Sequence, residues 1–180
     1  MTQTDYEPTS NRSTKIVSYS ILAVFLIAYT AIQAWIMLAS NFYAYLNDFW
    51  FLRKLADNFT GANFAVLQDG FFPYLYPLIQ NFIPESIALP FSTVLSFIAS
   101  LGTIVLTYAA ANRIVGPAWA LVAVWITSLQ PTFFTYSTVA GADALSVFFI
   151  AASVLVLTFW IDGKHAGSHW LLFLSGFLIG

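Results

Sequence analysis

The feature that most constrains this chain is a pair of long stretches without a single charge, Ile16–Ala39 and Ile87–Ala111. At about 1.5 Å per residue, a helix over either one crosses the roughly 30 Å of hydrocarbon in a bilayer. Lipid offers the backbone no hydrogen-bonding partner, so such a stretch must satisfy its own N–H and C=O groups, and a helix does that within one segment. The expected fold class is therefore all-α, a multi-pass transmembrane helical bundle. Composition agrees. Charged residues make up 8% and hydrophobic residues 59% of the chain, against about 25% charge in soluble domains, and mean hydropathy is +0.79.

The same inventory excludes several functions. A formal charge of -2 gives no electrostatic pull on nucleic acid. The absence of cysteine removes disulfides, thiolate metal sites and thiol nucleophiles. A cleaved signal peptide carries an apolar core of about 7–15 residues, and Ile16–Ala39 exceeds that, so it reads as a retained first crossing. Residues 1–15 read as a disordered cytoplasmic tail, and residues 16–180 as one membrane module.

Between the two uncharged runs lies a large loop, residues 40–86, which mixes Asp48, Asp57 and Asp69 with Arg53, Lys54 and many aromatics. In its first half Phe42, Leu46 and Phe49, then Phe51, Leu55 and Phe59, recur at three- and four-residue spacings, which predicts a helix. Its aromatic surface suits the membrane interface. Gly61 ends this helix and Asp69-Gly70 marks a turn. Pro73, Pro77 and Pro84 predict irregular backbone thereafter, and irregular backbone must lie in water or against protein.

The second run is expected to break at Asn112-Arg113. Gly116-Pro117 then opens a third helix near Pro117–Leu129, which is tilted or continues past Pro131. Pro131 and Gly141 separate it from a fourth near Ala142–Trp160. Residues 161–168 form a polar turn, and Trp170–Gly180 begins a fifth crossing. That last apolar stretch is too short to span, so the sequence reads as the front part of a longer protein or as a truncated gene.

Basic residues set the expected orientation. With the N-terminus in the cytoplasm, Arg12, Lys15, Arg113 and Lys164 lie inside and only Arg53 and Lys54 outside, as the positive-inside rule requires. The expected location is the plasma or inner membrane, with the large loop external.

Several residues are candidates for chemistry. Asp48 follows closely on the first crossing; it is either a surface acid partnered by Lys54 or a general base at an apolar boundary, where desolvation and nearby charge set its pKa. Arg53 and Asp57 stand four apart and predict an exposed pair worth under about 1 kcal/mol. Arg53 or Lys54 could instead neutralise a lipid phosphate. Asp69 reads as a turn residue whose side chain caps local backbone. Asp143, alone in an apolar run, either complements the dipole at the start of the fourth helix or faces the external cavity beside Asp48. His165 and His169 stand four apart without a third ligand, and solvent exposure is the expected state.

Taken in order, the acid after the first helix, the loop end Asp69-Gly70-Phe71-Phe72-Pro73-Tyr74-Leu75-Tyr76-Pro77-Leu78, Pro131-Thr132-Phe133-Phe134-Thr135-Tyr136-Ser137 and Gly141-Ala142-Asp143-Ala144-Leu145 resemble the N-terminal part of the C-type (GT-C fold) membrane glycosyltransferases. The protein mannosyltransferase and aminoarabinose transferase branch is the nearest in pattern, over about residues 16–180. The resemblance implies transfer of a sugar, with inversion, from a polyprenyl phosphate to a glycan, lipid or protein acceptor on the non-cytoplasmic side. It implies Asp48 as catalytic base, Lys54, Asp69, Tyr76 and Asp143 as substrate-binding residues, and Gly70, Pro73 and Pro77 as the frame of the loop. It fixes neither the sugar nor a divalent metal. Many members carry two adjacent acids where this chain has Asn47-Asp48, and proline often stands where this chain has Ala142. Basic residues that hold the donor phosphate usually lie beyond the position matching Gly180. The competing expectation is a non-catalytic multi-pass subunit or scaffold that shares only the architecture.

Overall fold

The structure, a computed structural model, describes residues 9–41, 49–50, 52–54, 75–161, 170, 173–174 and 176. Six helices are defined among them: α1 (Thr9–Ala39), α2 (Leu75–Asn81), α3 (Glu85–Val115), α4 (Pro117–Leu129), α5 (Pro131–Tyr136) and α6 (Asp143–Ile161). The described residues contain no strand, and the fold is an all-α membrane bundle. Three segments are long and apolar enough to cross a bilayer: Ser13–Ala39, Glu85–Val115 and Asp143–Ile161.

Helix α1 begins at Thr9, immediately after Pro8, so residues 9–15 extend the helix into the segment expected to be a tail. No helix breaker stands between Thr9 and the apolar run, and the helix propagates back to the proline. Only one stripe of α1 turns inward: Ser18, Leu22, Tyr29, Gln33 and Met37 are buried. Their spacing of four and seven residues is one face of a helix. Many of the other apolar side chains, Val24, Ile27, Trp35 and Leu38 among them, are exposed, as a helix facing lipid requires, while Phe25 and Leu26 are partly covered.

Helix α3 is the central element and packs most extensively against α6 and α4. Its buried face is small and weakly polar: Ala88, Ser92, Ser96, Ala99, Ser100 and Thr103. Between membrane helices there is little hydrophobic drive, so small residues that let backbones approach do the packing. At Gly102 the contact is tight, since a β-carbon there would stand 2.6 Å from Phe148 Cε2 of α6.

The expected break at Asn112-Arg113 does not occur. α3 runs through both residues to Val115 and stops at Gly116, whose φ of 86° lies in the left-handed region that glycine enters without a Cβ penalty. A base in the last turn is no interruption, because the carbonyl end of a helix favours positive charge. Arg113 also spreads its guanidinium 3.9 Å above the Phe159 ring of α6.

Pro117 then opens α4 at the first helical position, where a missing N–H costs nothing. Gln130, in extended backbone, breaks the helix before α5 starts at Pro131. Together α4 and α5 hold 13 and 6 residues, enough for about 30 Å at 1.5 Å per residue. The short apolar helix α4 is therefore followed past Pro131 by a second helix, α5.

Contacts show which ends meet. At one end, the loop end, Gln33 of α1 bonds Phe134 O of α5, Gln80 of α2 bonds Ser92 of α3, and Ser96 of α3 bonds Gly141 O before α6; at the other, Tyr19 lies against Tyr108 and Arg113 over Phe159. Aromatic contacts stitch α1 to α4 and α5: Tyr29 stands edge-on to Phe134 at 5.9 Å, and Phe25 stacks on Trp125 at 6.5 Å.

Candidate functional site

The loop end holds the polar chemistry that the bundle buries. α2 occupies part of the stretch expected to be irregular. Pro77 is its third residue, inside the first turn, where helix N–H groups have no internal acceptor in any case. The proline therefore removes nothing the helix would use. α2 buries Tyr76, Pro77 and Gln80 against the start of α3.

Gln80 is the node of this junction. Its side chain is fully buried, and its Nε2 donates to Ser92 Oγ of α3 at 2.5 Å. Ser92 Oγ in turn donates to Ala88 O at 2.7 Å. The backbone carbonyl of the same Gln80 accepts from Arg53 Nη1, which also donates to Ile83 O at 2.8 Å. One residue thus links the first half of the large loop, α2 and α3.

Residues 49–50 and 52–54 are helical, as the spacing of the aromatics predicts. Phe49 is 0% exposed and Leu52 2%; Phe49 packs with Ala88 of α3 and Ala140, and Ile83 and Leu89 lie against that cluster. Trp50 and Lys54 are exposed, and the Trp50 ring meets Phe49 edge-on at 4.9 Å. The segment has a docked face and a free face, as an interfacial helix does.

Arg53 is half-buried, and its guanidinium donates to carbonyls 27 and 30 residues away. Its expected partner Asp57 lies outside the described residues. Asp48, Asp69, His165 and His169 also lie outside them. Lys54 stands on the free face of the segment. Tyr76 is 1% exposed, so it frames the junction from inside; its hydroxyl faces Ser92 without closing a hydrogen bond to it. Burial pushes this phenol up to about 12, an effect the nearby Ser92 hydroxyl partly offsets.

Asp143 is the first residue of α6 and is exposed at the loop end. An anion there meets the positive end of the helix dipole. The preceding turn is fastened to α3, where Ser96 Oγ donates to Gly141 O at 3.3 Å, and Phe49 packs on Ala140 three residues before the acid. The structure therefore gathers Lys54, Tyr76 and Asp143 from three separate parts of the chain at one end of the bundle.

A second polar cluster lies deeper at the same end. Gln33 Nε2 of α1 donates to Phe134 O at 3.1 Å, and Ser137 Oγ donates to the same carbonyl at 2.7 Å. The Tyr29 hydroxyl faces both side chains without bonding either. These groups hold the break between α5 and α6 against α1. No sequence signal marked Gln33 or Gln80. An amide inside an otherwise apolar helix, as in Ile32-Gln33-Ala34, is the trace that could have done so.

Below the loop end an apolar groove runs between α1, α3 and α6, floored by Gly102 and Phe148 and walled by Leu26, Thr30 and Ile98. Among the described residues no three metal-ligating side chains converge. No family model matches the chain, and no curated protein or solved structure matches it.

Proposed function

We propose that this chain forms the loop-end face of a membrane glycosyltransferase that uses a polyprenyl-phosphate sugar on the non-cytoplasmic side. One observation carries the reading. Phe49, joined directly to Asp48, is buried against Ala140, three residues before Asp143. Asp48 precedes Phe49 in sequence, so the docked segment and the start of α6 are the two parts of the chain next to the candidate acids.

In this reading Asp48 takes the proton from an acceptor hydroxyl as that oxygen attacks the anomeric carbon. The bond from that carbon to the phosphate oxygen breaks, and the prenyl phosphate leaves as an anion. A positioned base contributes about 10²–10⁴-fold. The leaving group is ionised, so no strong acid need protonate it. Lys54 on the free face suits a phosphate contact, and Asp143 suits the rim of the acceptor side. The groove below gives apolar walls along which a prenyl chain can lie, so the headgroup arrives from the lipid.

The test is Asp48→Asn in the intact gene product, assayed for sugar transfer from a polyprenyl-phosphate donor. The expected result is normal insertion with transfer reduced at least about 10²-fold. Unchanged transfer removes Asp48 from the chemistry, and a wild-type protein that transfers no sugar leaves the scaffold as the reading.

A further inference from the structure

Arg53 carries an inference that rests on the transferase reading for its functional consequence but stands on its own geometry. We propose that Arg53 is a positioning residue: it straps the segment of residues 49–50 and 52–54, which follows Asp48 in sequence, onto the C-terminal end of α2.

A helix leaves its last carbonyls without internal donors, and these carry the negative end of its dipole. Gln80 O lies in the last turn of α2, where it accepts from Ile83 N at 3.1 Å and keeps a second lone pair, and Ile83 O lies just beyond it. Arg53 Nη1 donates to both. Arginine presents its N–H groups in a planar fork, so two hydrogen bonds fix a direction as well as a distance.

The strap is one of two fastenings on the same helical face. Phe49 stands four residues earlier, hence one turn along that face, and is buried between Ala88 and Ala140. Leu52 completes the face. Trp50 and Lys54 point away from it and are exposed. The apolar fastening resists lifting, whereas the guanidinium fixes rotation and register, because only it makes directional bonds. Its anchor is itself anchored, since Gln80 Nε2 is bonded to Ser92 of α3. Losing Arg53 therefore removes the segment's bonds to the α2 end and leaves Phe49 as its contact with α3. Nη1 is taken up by the two carbonyls, while Lys54 is the exposed cation of the segment.

The absence of cysteine makes a direct test available. Ala140→Cys, introduced alone, places a thiol under Phe49 at a fully buried position, where a membrane-impermeant maleimide reacts only when the segment lifts. In the intact gene product, adding Arg53→Ala is expected to speed labelling about tenfold or more, the change in opened population that follows from losing hydrogen bonds to a charged donor. Arg53→Lys keeps the charge without the fork and is expected to fall between. Ser92→Ala frees Gln80 without touching the charge and is also expected to speed labelling. It keeps the test open if Arg53→Ala does not reach the membrane. In the transfer assay Arg53→Ala should lower kcat with the donor KM unchanged, and Arg53→Lys should restore part of it.

Labelling unchanged by Arg53→Ala, or by Ser92→Ala and Arg53→Lys together, overturns the strap. So does a raised donor KM at constant kcat, which would make Arg53 a phosphate ligand. Faster labelling together with a wild-type protein that transfers no sugar keeps the strap and discards the transferase reading.

Discussion

Tyr76 shows what a single side chain at the loop end contributes. It lies in the connection between crossings, almost wholly buried, and its phenol titrates near 12 against 10.0 when unfolded. The sign follows from linkage. The folded state holds the proton more tightly, so this contribution is intact below pH 10 and is lost as pH rises toward 12. Stability at the loop end should therefore be flat through neutral pH and fall across that alkaline window. Tyr76→Phe, which has no proton to lose, should remove this part of the decline, as read by tyrosinate absorbance and unfolding in detergent. A wild-type protein whose tyrosines all titrate near 10 would show that Tyr76 is reached by solvent. The sequence marks Tyr76 only as part of a loop pattern. Its burial depends on Gln80 and Ser92, four and sixteen positions along the chain, and no local spacing encodes that meeting.

Among the elements, α3 sets the tolerance of the bundle. Gly102 lets α3 and α6 approach until Phe148 fills the place of a side chain. Gly102→Ala should force the Phe148 ring aside and cost about 1–3 kcal/mol, the usual penalty for overfilling a packed contact. Adding Phe148→Leu should return part of it, and thermal unfolding of the single and double variants in detergent measures both. Equal stability of Gly102→Ala and the parent would mean that the ring moves freely. The crossings themselves were legible as uncharged runs, because length and lack of charge are what a bilayer selects. The ends were less so. Asn112-Arg113 reads as a break, yet the helix passes through it, because polar residues in an exposed last turn cost little. Pro77 reads as a disruptor, yet α2 forms, because its effect depends on position within the first turn.

For the whole molecule, the expectation that follows from the basic residues is that the loop end is external. Lys54→Cys and Arg113→Cys, each the sole thiol in the protein, should react with an impermeant maleimide from opposite sides. The first should label in intact cells and the second only after the membrane is opened. The reverse pattern would put Asp48 in the cytosol and end the transferase proposal. Arg53 illustrates why the candidate site was only partly readable. Sequence spacing offers it Asp57 four residues on, and the fold brings it carbonyls 27 and 30 residues away that no spacing announces. Helical periodicity captures neighbours on one element, and the site is made where three elements converge.

The hydroxyls of α3 bear on how the bundle assembles. Ser92, Thr93 and Thr103 each donate to the carbonyl four residues earlier in their own helix, so their donors are met before any other crossing arrives. A newly made α3 can thus wait in the bilayer, with no hydrogen from these three groups stranded in oil, until synthesis delivers α6. Ser96, whose partner Gly141 O comes from the later turn, then acts as a latch that closes only on arrival.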